Sequence, residues 1–176
     1  MNRGKQTTLE TVLFSMLATL VFTLQIAMEV IPNVHLTGMF VILFTTVFRR
    51  KALIPIYLYV FLVGIRWGFS LSWIPYLYVW LVLWGMTMLI PRRFSPVVRG
   101  VLYCGVGVIH GLSFGTLYAP AQALLFGLNF RQTLAWIAAG FPWDVTHAVG
   151  NAVACTLVLP LSELLFRLLK RAGLFC

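Results

Sequence analysis

The hydrophobic pattern divides the chain into six long apolar segments separated by short polar or turn-forming stretches. A helix needs about 20 apolar residues to cross the hydrocarbon of a bilayer, so segments of this kind are typical of membrane-spanning helices. The pattern predicts an all-α protein, with one domain over residues 1–176 built as a polytopic bundle of six transmembrane helices. The segments cover residues 9–31, 34–48, 52–66, 74–90, 97–118 and 134–168.

The second and third segments are shorter than a full span, because fifteen helical residues extend only about 22 Å. A re-entrant hairpin would place Arg49, Arg50 and Lys51 near the bilayer midplane, where each charge is costly. The favoured interpretation is two short spans, with the basic turn at the interface and some local thinning of the bilayer.

Composition supports membrane insertion, since 61% of the residues are hydrophobic and only 10% are charged. The net charge of +9 reflects an uneven distribution of cations. With the N-terminus in the cytoplasm, six spans put eleven of the 13 Lys and Arg residues inside and only Arg66 and Arg131 outside. The positive-inside rule therefore predicts that both termini are cytoplasmic. No stretch is long and polar enough to form a nucleic-acid surface, so no nucleic-acid partner is expected.

Motifs for metal, cofactor or nucleotide chemistry are absent from the sequence. There is no Walker motif, so the chain is not expected to hydrolyse ATP itself. Metal binding is not expected either, because there is no HExxH pair and His110 and His147 fall on different helices. The three cysteines lie far apart and are expected to be free thiols.

Small residues recur at every fourth position of the first segment, at Thr11, Ser15, Thr19, Thr23 and Ala27. Residues spaced by four form a ridge along a helix, and small ridges allow close helix approach in lipid. The ridge predicts either packing against another helix of the same chain or docking of a separate membrane subunit.

An aromatic stripe opens the fourth segment, where Trp73, Tyr76, Trp80 and Trp84 follow at three- and four-residue steps. The first two are positioned as interface anchors. The last two lie too deep for that role, so they either pack in the bundle or line a cavity that stacks a flat ligand.

A polar row, Asp144, His147 and Asn151, shares one face of the last segment. Asp144 follows Pro142 and is expected in the first turn of the last helix, where the helix dipole favours a carboxylate. The other two could form interhelical hydrogen bonds. The alternative is a ligand site, because polar groups within membrane spans are costly unless they serve one.

The chain resembles the substrate-binding membrane subunits, or S components, of energy-coupling factor (ECF) transporters for vitamins. The residues that carry the resemblance are the six-span layout, the small first helix ending in "EVIPNVHLTGMF", the turn "RRKA", and the closing "GFPWDVTHAVGNAVACTLVLPLSELLFRLLKR". The family signature in helix one is alanine at fourfold spacing, and here only Ala27 matches it. Small size is nevertheless kept along the ridge.

The resemblance implies a multi-pass protein of the bacterial cell membrane that is not an enzyme and carries no cofactor. It would bind a water-soluble vitamin or related micronutrient near the extracellular side. It would then dock through helix one on a transmembrane coupling subunit driven by two cytoplasmic ATPases. Cobalamin, pyridoxine or a pyrimidine, pantothenate and a queuosine precursor are the candidate substrates.

The same resemblance assigns positions to these two roles. The docking positions are those of the helix-one ridge, Thr11, Ser15, Thr19 and Thr23. The expected substrate-binding positions are Asn33, His35, Arg66, Trp67, Trp73, Tyr76, Trp80, Asp144, His147 and Asn151.

An alternative function from the residues alone is an intramembrane enzyme that uses Asp144, His147 and His110.

Overall fold

The structure is a computed structural model that describes residues 3–30 and 35–174, apart from the side chains of Arg3 and Lys5. Its described part contains helices and no strands, which confirms that the protein is all-α. The α-helices within these ranges are α1 (Arg3–Ala27), α2 (Thr37–Phe48), α3 (Leu53–Trp67), α4 (Tyr76–Met88), α5 (Pro96–Leu112), α6 (Phe114–Phe126), α7 (Phe130–Cys155) and α8 (Val158–Arg171).

Three stretches of the described chain are long and apolar enough to cross a membrane: Gln6–Ala27, Leu71–Met88 and Pro96–Phe126. A fourth is added if α7 and α8, which are bent by 48° at their junction, form one span. These stretches indicate a membrane protein. The second and third predicted segments appear as the short helices α2 and α3.

Helix α2 lies at the centre of the bundle, and all twelve of its residues are buried. It packs against α4, α7 and α8. A helix that is apolar all round is typical of a fully enclosed position, and the run "MFVILF" has no polar face to turn outward. The hydroxyls of Thr45 and Thr46 bond back to the carbonyls of Val41 and Ile42, so α2 buries them without unpaired donors.

The basic turn Arg49–Ala52 forms a 3-10 helix that ends α2, and Arg49 adopts a left-handed φ of 55°. The Arg49 guanidinium donates to the Met88 carbonyl at the end of α4, at 2.9 Å. Arg92 donates to the Thr46 carbonyl at 3.0 Å. Arginines thus satisfy carbonyls that helix ends leave unpaired, so this turn has a structural role besides its charge.

Helices α5 and α6 continue one another through Ser113, and α6 runs to Phe126. The prediction that residues 119–133 connect two segments was therefore wrong over its first half. Pro120 and Gly127 suggested a loop there, but α6 includes Pro120 and ends at Gly127 in a left-handed C-cap. Proline is tolerated in membrane helices because neighbouring groups satisfy the freed carbonyl.

Helix α7 begins at Phe130, and the prediction that the last helix starts after Pro142 was wrong. A capping box fixes the start: Asn129 Oδ1 accepts from the Gln132 amide at 3.0 Å, and Gln132 Oε1 accepts from the Asn129 amide at 2.9 Å. Asp144 therefore lies in the middle of α7, and the dipole role in the first turn of its own helix does not apply.

The last predicted segment, 134–168, breaks between Cys155 and Val158. Helix α8 turns away by 48° and is amphipathic. Val158, Ser162 and Leu169 are buried, whereas its charged residues are exposed. An apolar stripe opposite a charged face is typical of a helix that lies along a surface rather than crossing hydrocarbon.

Three glycines at fourfold spacing, Gly107, Gly111 and Gly115, form a glycine ridge along α5 and α6 that faces α7. A Cβ on Gly111 would lie 2.7 Å from the backbone N and Cα of Ala148. The two helix backbones therefore touch at this point, as small residues permit in membrane bundles. This contact sets the position of the polar row on α7.

Candidate functional site

Six helical segments enclose a cavity of about 130 Å³, named here the central cavity. It lies where α1 ends, α2 begins, and α4 through α7 approach one another. It is lined by Gln25, His35, Thr37, Gly38, Tyr76, Trp80, His110, Gly111, Phe114, His147 and Asn151. This lining mixes aromatic rings with a few polar groups, which is typical of small-molecule sites.

All three histidines of the chain line this cavity. The ring centroids of His35 and His147 lie 5.6 Å apart, and the Nε2 atom of His110 lies 3.1 Å from the Val79 carbonyl oxygen. Within residues 3–30 and 35–174, no group of three or more His, Cys, Asp or Glu side chains is arranged to hold a metal ion. The histidines are therefore placed as hydrogen-bonding and stacking groups.

Aromatic rings form the rest of the wall. Trp80 is 7% exposed, and its ring centroid lies 5.8 Å from that of His110. Phe114 stacks on His147 at 4.8 Å between centroids. Of the predicted aromatic stripe, Tyr76 and Trp80 line the central cavity, while the indole of Trp84 donates to the Arg49 carbonyl instead.

Two buried polar atoms of this lining have no hydrogen-bond partner among the described residues. They are Nε1 of Trp80 and Nδ1 of His35. An indole nitrogen is a donor only, and a buried donor without an acceptor costs about 1–3 kcal/mol. Such orphaned groups beside a cavity favour a site that a ligand completes.

A hydrogen-bond network at the α1 side of the cavity was not anticipated from the sequence. The hydroxyl of Thr37 donates to Oε1 of Gln25 at 2.9 Å, and the hydroxyl of Tyr59 donates to the same oxygen. Holding Oε1 in this way fixes the amide orientation and leaves Nε2 of Gln25 as a further donor for the cavity. An amide within the apolar run "LVFTLQIAM" was the signal available.

The polar row divides between two roles. His147 and Asn151 line the central cavity. Asp144 does not: both of its carboxylate oxygens accept from the Gly115 amide, at 2.9 and 3.1 Å, in the first turn of α6. A carboxylate is favoured at a helix N-terminus, so Asp144 stabilises α6 rather than its own helix. Asn151 also donates from Nδ2 to the Gly107 carbonyl at 3.0 Å.

Two further cavities share residues with the central one. The first, of about 290 Å³, is lined by Asp144, Tyr76 and His147 among others and is named the Asp144 cavity. The second, of about 350 Å³, includes Glu29, His35 and Tyr76 and is named the Glu29 cavity. Tyr76 borders all three spaces, which therefore lie next to one another.

Of the remaining predicted site residues, some line a cavity and others do not. Trp67 and Trp73 line the Glu29 cavity. Arg66 is exposed, lies over the Trp67 ring at 5.3 Å and lines none of the three cavities. Asn33 lies outside the described residues. Phe114 and Tyr118, which border these cavities, were not predicted as site residues, although both lie within the predicted fifth segment.

The predicted docking positions face outward. Thr11, Ser15, Thr19 and Thr23 are all exposed on α1. The opposite face of this helix is buried through Phe14, Ala18 and Val21. The predicted packing of the ridge against another helix of the same chain is therefore not seen among the described residues.

The chain matches no protein-family model, and no curated protein or solved structure matches it significantly.

Proposed function

We propose that this chain is the substrate-binding subunit of an ECF-type vitamin transporter. The observation that carries the proposal is the central cavity, whose polar lining includes the orphaned Trp80 and His35 nitrogens. Such an arrangement is suited to hold a small molecule and contains no catalytic pair in hydrogen-bond contact among the described residues. The exposed helix-one ridge supplies a surface for the coupling subunit, which would be driven by two cytoplasmic ATPases.

The proposal includes a topology of six spans with both termini cytoplasmic. The short helices α2 and α3 count as spans in it, and α7, with 26 residues, forms the last one. The basic turn, whose Arg49 bonds to the Met88 carbonyl, then lies at the inner interface. The turn Leu71–Trp73, whose Ser72 and Trp73 line the Glu29 cavity, then lies at the outer face.

Thiol labelling tests this topology, because Ser70 and Phe94 are both exposed and lie at opposite ends of α4. In a background without the three native cysteines, a membrane-impermeant maleimide should label Ser70→Cys in intact cells. Phe94→Cys should react only after the cells are opened. The reverse labelling pattern would contradict the proposed orientation.

The alternative function is an intramembrane enzyme that uses Asp144, His147 and His110. Two of these groups already have protein partners, since Asp144 bonds to Gly115 and His110 contacts the Val79 carbonyl. This occupation favours binding over catalysis. An enzyme would turn over alone in detergent, whereas a binding subunit would bind its ligand one to one and release it unchanged.

The binding function predicts that purified protein retains a vitamin-sized molecule, detectable by native mass spectrometry. His147→Leu should then weaken its binding about tenfold, because a hydrogen-bonding partner worth about 1.4 kcal/mol is lost. His147 contacts its neighbours through its ring and makes no hydrogen bond to a described residue, so folding should change little. Calorimetry with the retained molecule measures the affinity.

Thr146→Leu is the matched control, since Thr146 directly precedes His147 on α7 and its hydroxyl bonds to the Pro142 carbonyl of its own helix. The Thr146→Leu variant should bind the retained molecule with the affinity of the wild type. Asn151→Leu is a less clean test because it also removes the bond to the Gly107 carbonyl. A purified protein that retains no small molecule and binds no vitamin would contradict the proposed function.

A further inference from the structure

The size of the central cavity limits what can enter it. Its volume is about 130 Å³, and a cavity of about 150 Å³ in another protein accommodates benzene. The two volumes are similar, so this space has room for about one six-membered ring. A corrin, which joins four rings around a metal ion, is too large for it.

The wall of the cavity favours a flat ring. Trp80 and Phe114 lie 6.1 Å apart between ring centroids, and the His147 ring stacks on Phe114. Aromatic rings at these separations attract a further ring in offset or edge-on contact. A saturated, flexible chain would leave this stacking surface unused.

The orphaned Trp80 N–H specifies an acceptor on that ring. The Trp80 residue is 93% buried, and its N–H group has no acceptor among the described residues. A ring nitrogen with a lone pair in the ring plane is an acceptor of the required kind. Gln25 Nε2 and His35 Nδ1 remain for substituents of the ring.

The charged residues around the site disfavour a negatively charged ligand. No Lys or Arg lines the central cavity, the Asp144 cavity or the Glu29 cavity, as far as the structure describes them, and the charged residues that do are acidic. A buried carboxylate without a cationic partner is strongly disfavoured. A cavity histidine could act as the cationic partner of a ligand carboxylate only after taking up a proton. The protonated ring would then be a second charge buried in the enclosed cavity.

We infer that the ligand is an uncharged nitrogen heteroaromatic compound with a single six-membered ring, of the pyridine or pyrimidine class and without a carboxylate. The inference rests on the proposed function, since it names the substrate class of that subunit. The ring lies against Trp80 and Phe114, with a ring nitrogen accepting from the Trp80 indole. Its substituents extend past Tyr76 toward the acidic Glu29 cavity.

A panel of probes tests the substrate class by calorimetry on the purified full chain. Nicotinamide and 4-amino-5-hydroxymethyl-2-methylpyrimidine represent the inferred class. Nicotinate and pantothenate carry a carboxylate, and cyanocobalamin is a corrinoid. At least one of the first two should bind, and none of the other three should. Binding of a carboxylate or corrinoid probe alone would overturn the inference while leaving the proposed function intact.

If no probe binds, the inference is tested by identifying the small molecule that the purified protein retains. A neutral one-ring nitrogen heterocycle in the mass spectrum would support the inference, and a molecule of another class would overturn it. If nothing is retained and no probe binds, both the inference and the proposed function fail.

The ring-nitrogen contact has a separate test. Trp80→Phe keeps an aromatic ring but removes the donor, so affinity for the bound probe should fall about tenfold, or about 1.4 kcal/mol. An isostere with CH in place of the ring nitrogen, such as benzamide for nicotinamide, should bind about tenfold more weakly to the wild type. Trp80→Phe should not distinguish the two compounds.

Trp84→Phe is the matched control, because it removes an indole N–H on the same helix whose acceptor is the Arg49 carbonyl. It should leave ligand affinity unchanged. If Trp80→Phe does not fold, the comparison of probe and isostere on the wild-type protein still decides. Equal affinity of the two compounds would show that the Trp80 N–H does not bind a ring nitrogen.

Discussion

Gly111→Ala should destabilise the bundle by about 1–3 kcal/mol, the usual cost of overpacking a close contact. The added Cβ would lie 2.7 Å from two backbone atoms of Ala148 and 3.0 Å from the His147 carbonyl carbon. Backbone atoms cannot rotate away as a side chain can, so α5 and α7 must move apart. The measurement is the thermal unfolding midpoint of the purified protein in detergent.

Gly105→Ala is the control on the same helix, since a Cβ there would meet nothing within 4 Å. It should stabilise α5 by up to about 1 kcal/mol through helix propensity. The two alanine variants should therefore shift the midpoint in opposite directions. An unchanged or higher midpoint for Gly111→Ala would show that the glycine ridge is not a tight contact.

Gly111→Ala should also impair ligand binding, because Gly111 lines the central cavity and its contact positions His147. Separation of α5 from α7 would widen the space between His110 and His147. Affinity of the folded fraction should fall, whereas Gly105→Ala should bind as the wild type does. The glycine ridge thus links packing of the bundle to the geometry of the site.

The sequence predicts the helical class of this protein well, because apolar segment length is a local signal. It also identifies residues that the fold brings together, since His147 and Asn151 lie on one face of a helix by spacing alone. Its depth along the fourth segment predicted that Trp80 packs in the bundle or lines a cavity, and Trp80 is buried beside the central cavity. These are properties of one helix, and helical periodicity determines them.

Other features depend on contacts between distant segments. The carboxylate of Asp144 reaches the N-terminus of α6, 29 residues earlier in the chain, and no pattern within α7 indicates this. Pro120 and Pro142 suggested helix boundaries, but both lie inside helices because the surrounding bundle tolerates them. Gln25 reaches Thr37 and Tyr59 only once α1 packs against α3.

Ser15→Trp and Thr19→Trp should each abolish most vitamin uptake in cells that contain the complete transporter. Both residues lie on the exposed helix-one ridge, and the Thr19 hydroxyl bonds back to the Ser15 carbonyl at 2.9 Å. The ridge therefore presents a low surface on which the Thr19 hydroxyl is already paired within its own helix. Close packing is a main attraction between helices in lipid, so an indole there would hold the coupling subunit away.

Ligand binding by the isolated variants should remain close to that of the wild type, because Ser15 and Thr19 line none of the three cavities. Calorimetry on purified protein and uptake of labelled vitamin by cells measure the two properties separately. A docking defect lowers vitamin uptake by cells and leaves ligand binding by the purified protein unchanged. A folding defect lowers both, together with the amount of protein in the membrane.

Met16→Trp is the matched control for bulk, since Met16 is 66% exposed on the same helix and its side chain is already large. It should support uptake much better than Ser15→Trp. Replacement of Ser15 by alanine keeps the ridge low and should preserve uptake. Normal uptake by both tryptophan variants would exclude the helix-one ridge as the docking surface, because a partner helix in close contact cannot accommodate an indole there.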